Sequence, residues 1–113
     1  MDDDLVAAGR YARIQTTGRS SGDLRSVTVG FVEDDAGPPD SLLVAAGQAD
    51  ADWATNLLVD RACVVTVGER SFAALAEPLD GPHHARAVRA LILRYGTSAE
   101  GLGRGPSFRL VPA

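Results

Sequence analysis

A chain of 113 residues, 45% of them hydrophobic and 23% charged, has the size and composition of one globular domain. Surface scaling lets about 65% of the unfolded chain's area be buried, so a core forms without staples. A net charge of −4 excludes a general nucleic-acid binder, the single Cys63 excludes an internal disulfide, and no apolar run reaches the length of a membrane span.

The acidic start Met1-Asp2-Asp3-Asp4 is unlike a signal peptide, so the expected location is the cytoplasm. Residues 1–12 read as an N-terminal segment, partly disordered or a short helix, and residues 13–113 as the folded domain. Residues 13–17 favour an extended strand. Residues 25–33 alternate, with Val27, Val29 and Phe31 on one face, and read as its hairpin partner.

Between these two strands runs Thr16-Thr17-Gly18-Arg19-Ser20-Ser21-Gly22-Asp23-Leu24-Arg25. Arginine forks match phosphate oxygens, serine hydroxyls add neutral donors, and glycines let backbone N–H groups approach an anion. Arg10, Arg13, Arg19 and Arg25 stand against Asp23 alone over residues 10–25, which makes a locally positive field. The local residues fit either a phosphate cradle or an exposed hairpin loop with ordinary surface arginines.

The cluster Asp34-Asp35-Ala36-Gly37-Pro38-Pro39-Asp40 is a turn, and residues 41–46 read as a third strand of a meander. Asp50 is placed to cap a helix running to about Asp60, with Trp53, Leu57 and Leu58 at helical spacing and Asn56 near the face of Trp53. A buried amide at Asn56 needs partners, which a heteroaromatic ring with carbonyl and imide edges would supply. Residues 62–67 and 71–76 form a further hairpin across Gly68-Glu69.

Gly81-Pro82 opens a second helix with an apolar stripe of Ala85, Val88, Leu91, Ile92 and Tyr95, ended by Gly96. Residues 108–111 give a sixth strand. The order β-β-β-α-β-β-α-β defines an α+β fold that closes most economically as a small barrel. No metal site is read: His83 and His84 are adjacent and diverge by about 100° on a helix, and Cys63 shares a strand face with Val65 and Val67 as a buried thiol.

Gly18-Arg19-x-Ser21-Gly22-x-x-Arg25, the strand Leu42-Leu43-Val44-Ala45-Ala46, the pair Trp53-x-x-Asn56-Leu57 and the strand Val64-Val65-Thr66-Val67 together resemble the deazaflavin-dependent nitroreductase family. The match runs in order over nearly the whole chain. The resemblance implies a six-stranded antiparallel split β-barrel of the FMN-binding type with two main helices, and coenzyme F420 as cofactor. It implies that Arg19, Ser20, Ser21 and Arg25 hold the cofactor's phosphate and tail, and that Ser26 and Thr28 run along its length. Ala46 and Gly47 would line the ring system, and residues from Asp52 to Asn56, Trp53 among them, would approach the deazaflavin head from the start of the first helix.

The expected activity is hydride transfer from reduced F420 to a quinone, enone or nitroaromatic, a small-molecule electron acceptor. Tyr95 and Ser98 are the candidate proton donors. The alternatives are an FMN-binding split-barrel oxidoreductase and a non-catalytic binder of deazaflavin or another small anion. A homodimer is implied by the resemblance, since related barrels pair through their sheets.

Overall fold

The computed structural model describes residues 2–96 and 103–113. The elements are α1 (Asp2–Ala7), β1 (Ala12–Thr17), β2 (Leu24–Val29), β3 (Val32–Glu33), β4 (Leu42–Ala45), α2 (Asp52–Val59), β5 (Ala62–Val67), β6 (Arg70–Leu79), α3 (Gly81–Tyr95) and β7 (Ser107–Pro112). All seven strands join one antiparallel sheet in the order β2-β1-β5-β6-β7-β4-β3, curled around the core.

The strand count is therefore seven rather than six, and the expected meander does not form. The alternating run at residues 25–33 breaks at Gly30-Phe31: β2 stays with β1, while the two-residue β3 pairs with β4 at the opposite end of the sheet order. Strand β4 in turn pairs with β7, not β2. One continuous sequence segment thus supplies both edges of the curled sheet.

Strand β6 joins the two halves. Its first part, from Arg70 to Leu75, pairs with β5, and its second part, from Ala74 to Leu79, pairs with β7. The β5–β6 turn is the two-residue Gly68-Glu69, with Gly68 at φ +60° as such a hairpin requires. Helix α1 docks on that turn, where the Gly68 N–H donates to the Val6 carbonyl at 2.7 Å.

The core is filled by Ile14, Leu42, Val44, Leu57, Val65, Phe108 and Leu110 with small alanines between them. Helix α2 contributes Ala54 and Leu57; Leu58, expected on that face, is 51% exposed. Its N-cap is Ala51 rather than Asp50 and has no side-chain cap bond. Helix α3 buries Ala87 and Leu91 and leaves Ala85 exposed, so its inward stripe is rotated from the expected one. Adjacent to that stripe, the His84 ring sits 2.6 Å from the buried Ser107 hydroxyl.

The C-terminal end of α3 locks the edge switch. The Tyr95 hydroxyl accepts from the Phe31 N–H at 2.9 Å and donates to the Arg10 carbonyl at 2.8 Å. Arg94 donates to the carbonyls of Phe31 and Gly9 and lies 4.4 Å above the Phe31 ring. Just past β3, Asp34 is fully buried and accepts from Arg109 Nε at 2.6 Å, Arg86 Nη2 at 3.2 Å and the Ala36 N–H at 3.1 Å. Burial pushes its carboxyl up, but the hydrogen bonds and positive charges outweigh this and hold its pKa below the ordinary value. Among the described residues no helix is long and apolar enough to cross a membrane.

Candidate functional site

A groove of about 430 Å³ opens between the β1–β2 loop, the outer end of β2 and the first turn of α2. Thr16, Gly18, Arg19, Ser20, Ser21, Arg25, Ser26, Val27, Asp52, Trp53 and Asn56 line it. Its volume lies within the range usual for small-molecule sites.

The loop is a closed turn. The Gly18 N–H donates to the Asp23 carbonyl at 2.7 Å, the Gly22 N–H to the Gly18 carbonyl at 2.9 Å, and the Asp23 N–H to Ser21 Oγ at 3.2 Å. Gly22 sits at φ +74°, a conformation that glycine adopts without strain. Four backbone donors, those of Gly18, Arg19, Gly22 and Asp23, are thus engaged within the protein, and the loop offers an anion mainly side chains.

Its two arginines are not equivalent. Arg19 is tied to α2: its backbone N–H and Nη1 both donate to Asn56 Oδ1, at 3.2 and 2.9 Å, and Nη2 meets Asp52 Oδ1 at 3.4 Å. Arg25, one strand turn away, has no side-chain hydrogen bond or ion pair among the described residues and is exposed. The positive field read from the sequence is reduced accordingly, because Arg13 pairs with Asp3 and Arg19 with Asp52.

Asn56 is 3% exposed, and its amide is satisfied without a ligand. Its oxygen takes the two Arg19 bonds, and Nδ2 donates to Thr16 Oγ1 at 3.3 Å. The buried amide is the clamp that fixes the loop to the helix. Trp53 is half-buried, with its ring centroid 6.0 Å from that of Phe108 on the core side and its remaining surface in the groove. Trp53 thus packs on the core with one part of its surface and lines the groove with another.

The remaining expected residues fall elsewhere. Thr28 lies two residues beyond Ser26 on β2, outside the groove lining. Ala46 is buried, its N–H donating to the Pro106 carbonyl at 2.8 Å, and neither it nor the exposed Gly47 lines the groove. The Tyr95 hydroxyl is held by backbone at the edge switch, and burial raises its pKa despite the Phe31 hydrogen bond and the nearby Arg94 charge. Ser98 lies outside the described residues.

Asp52 opens the stretch expected at the ring end and shares one helix face with Asn56, four residues on; its ion pair with Arg19, 33 residues away, could not be read from the sequence.

Fold and groove together define a split-barrel-like α+β protein, a curled seven-stranded antiparallel sheet with a small-molecule groove at one end. Residues 8–102 match the F420H(2)-dependent quinone reductase family, and the chain belongs to that family. Among solved structures it is similar to the F420-H2 dependent reductase FDR-A, at 20% identity and a TM-score of 0.72, covering 89% of this chain and 93% of that one. It is also similar to the heme storage protein HutZ from Vibrio cholerae, at 18% identity and a TM-score of 0.73, covering 98% and 87%. A chain described as a domain-swapped dimer aligns at 18% identity and a TM-score of 0.71, covering 96% and 92%. Identities this low establish the shared fold alone. No curated protein sequence matches the chain.

Proposed function

We propose that this protein is an F420-dependent oxidoreductase that passes a hydride from the reduced cofactor to a small electron-poor acceptor, a quinone, enone or nitroaromatic. The observation that carries the reading is the pairing of an uncommitted cation, Arg25, and the loop hydroxyls with a half-buried Trp53 across one groove. The donor set fits a phosphate at the loop end and a flat ring at the helix end.

In this reading Arg25 and the hydroxyls of Ser20, Ser21 and Ser26 hold the phosphate and tail. Ser21 already accepts from Asp23 N–H, which leaves its own O–H to donate. Trp53 offers its groove-side surface to the ring system, and Arg19, fixed by Asn56, orients the loop. The bound deazaflavin supplies the hydride chemistry. Among the described residues Asp52 is the only carboxylic acid in the lining, and it is exposed and ion-paired, so the reading assigns the acceptor's proton to water. The expected assembly is a homodimer formed through the outward sheet face of β5 and β6, where Val64 and Leu75 are exposed.

The test is anaerobic titration of the purified protein with F420, followed by turnover of reduced F420 with a panel of quinones and nitro compounds. Micromolar binding and acceptor-dependent oxidation are expected. Failure to bind F420 at micromolar concentration, with yellow FMN co-purifying instead, would overturn the assignment in favour of a flavin. Binding without turnover across the panel would leave a carrier.

A further inference from the structure

The groove is electrically asymmetric, and the asymmetry traces to one carboxylate. Asp52 stands in the first turn of α2 with its Oδ1 3.4 Å from Arg19 Nη2, at the groove's helix end. That pair cancels to no net charge. At the loop end, Arg25 has no counter-ion among the described residues. Asn56 Oδ1 accepts from the Arg19 backbone N–H and from Arg19 Nη1, so the guanidinium cannot swing to the loop end without breaking the Nη1 bond.

We propose that Asp52 is the charge-specificity residue of this groove: by occupying Arg19 it confines phosphate groups to the Arg25 end and keeps the helix end for the flat ring. The inference rests on the cofactor reading for the identity of the ligand, but not for the charge preference itself. An exposed pair of this kind is weak and screened by salt, so Asp52 biases where an anion sits and does not bar entry. Removing its charge frees Arg19 as a second anion site.

The experiment compares wild type, Asp52→Asn and the double variant Arg19→Ala/Asp52→Asn, each titrated with F420, with a deazaflavin lacking the phosphate and tail, and with pyrophosphate. Asp52→Asn is expected to tighten F420 and pyrophosphate by about fivefold at low salt, and the gain fades at high salt. The tail-less deazaflavin changes less than about twofold, and the gain is lost in the double variant. The proposal is overturned if F420 binds but does not tighten, if the tail-less ligand tightens equally, or if the gain survives without Arg19. Should F420 bind none of the proteins while pyrophosphate follows the expected pattern, the cofactor reading falls and the charge role of Asp52 stands. If F420 binds and neither anion responds to the substitution, the reverse holds, and if nothing binds, both fall.

Discussion

The ring of Tyr95 lies against Gly30 so closely that a Cβ added to the glycine would meet Tyr95 Cε2 at 2.9 Å and Cζ at 3.1 Å. This contact occurs where the chain leaves one edge of the sheet for the other. The ring cannot move aside cheaply, because its hydroxyl is bonded to the backbone of both Phe31 and Arg10. Gly30→Ala is therefore expected to destabilise the fold by about 1–3 kcal/mol through overpacking. Tyr95→Phe, which keeps the ring and loses the bonds, should cost about 1–3 kcal/mol by leaving the Phe31 N–H unpaired. Urea denaturation of the two variants checks both values, and an unchanged midpoint for either would mean that the corner is not held this way.

The position of that corner explains what the sequence could and could not show. The limits of β5 were legible because a β-branched run ends on Gly68, and local pairing decides such a hairpin. The break at Gly30-Phe31 was not, because Val27, Val29 and Phe31 continue the alternation through it, and the partners that enforce the break, Arg94 and Tyr95, lie more than 60 residues away. The rotated face of α3 has a similar origin. Its apolar residues spread over more than half of the helix surface, so periodicity alone left the choice between Ala85 and Ala87 to tertiary packing. In the groove, the chemistry of the β1–β2 loop was visible in its composition, whereas the commitment of Arg19 to Asn56 and Asp52 depends on where α2 docks.

Asp34 illustrates the same limit with an energetic consequence. It belongs to a polar turn by sequence, yet its buried carboxylate neutralises Arg109, whose side chain is only 17% exposed. Asp34→Ala should destabilise by about 3–5 kcal/mol, since the buried arginine is left with only the half-exposed Glu77 at 3.4 Å. Because the folded-state pKa is lowered, the stabilisation is complete above the ordinary carboxylate range near pH 4. It is lost as pH falls through the depressed folded value. Acid unfolding of wild type and Asp34→Asn checks this: the difference in their stabilities should be largest near neutrality and shrink only below about pH 4.

Cys63 gives the opposite sign. Burial, with a smaller contribution from the Asp60 charge, pushes its thiol from the ordinary 9.0 up to about 11. A raised folded pKa means that the stabilisation is present below pH 9 and declines as pH rises toward 11. The advantage of wild type over Cys63→Ala is expected to shrink by on the order of 2 kcal/mol across that window. Thiol reagents at pH 8 should label the native protein only after unfolding, and rapid native labelling would contradict the buried placement.

The two groove arginines should separate cleanly by substitution. Arg25 carries no side-chain partner among the described residues, so under the proposed function Arg25→Ala removes a ligand contact and nothing else; F420 affinity is expected to fall by about 1.5–3 kcal/mol with the melting temperature nearly unchanged. Arg19→Ala leaves the buried Asn56 oxygen with only the Arg19 backbone N–H as donor, and frees the carboxylate of Asp52 in the groove. It should lower stability by about 1 kcal/mol and also weaken an anionic ligand, because an unneutralised Asp52 now faces it. Paired measurements of melting temperature and F420 affinity distinguish the two. If Arg25→Ala cost stability and spared binding, the loop would be a structural hairpin, and the groove's anion would have to be sought at Arg19 instead.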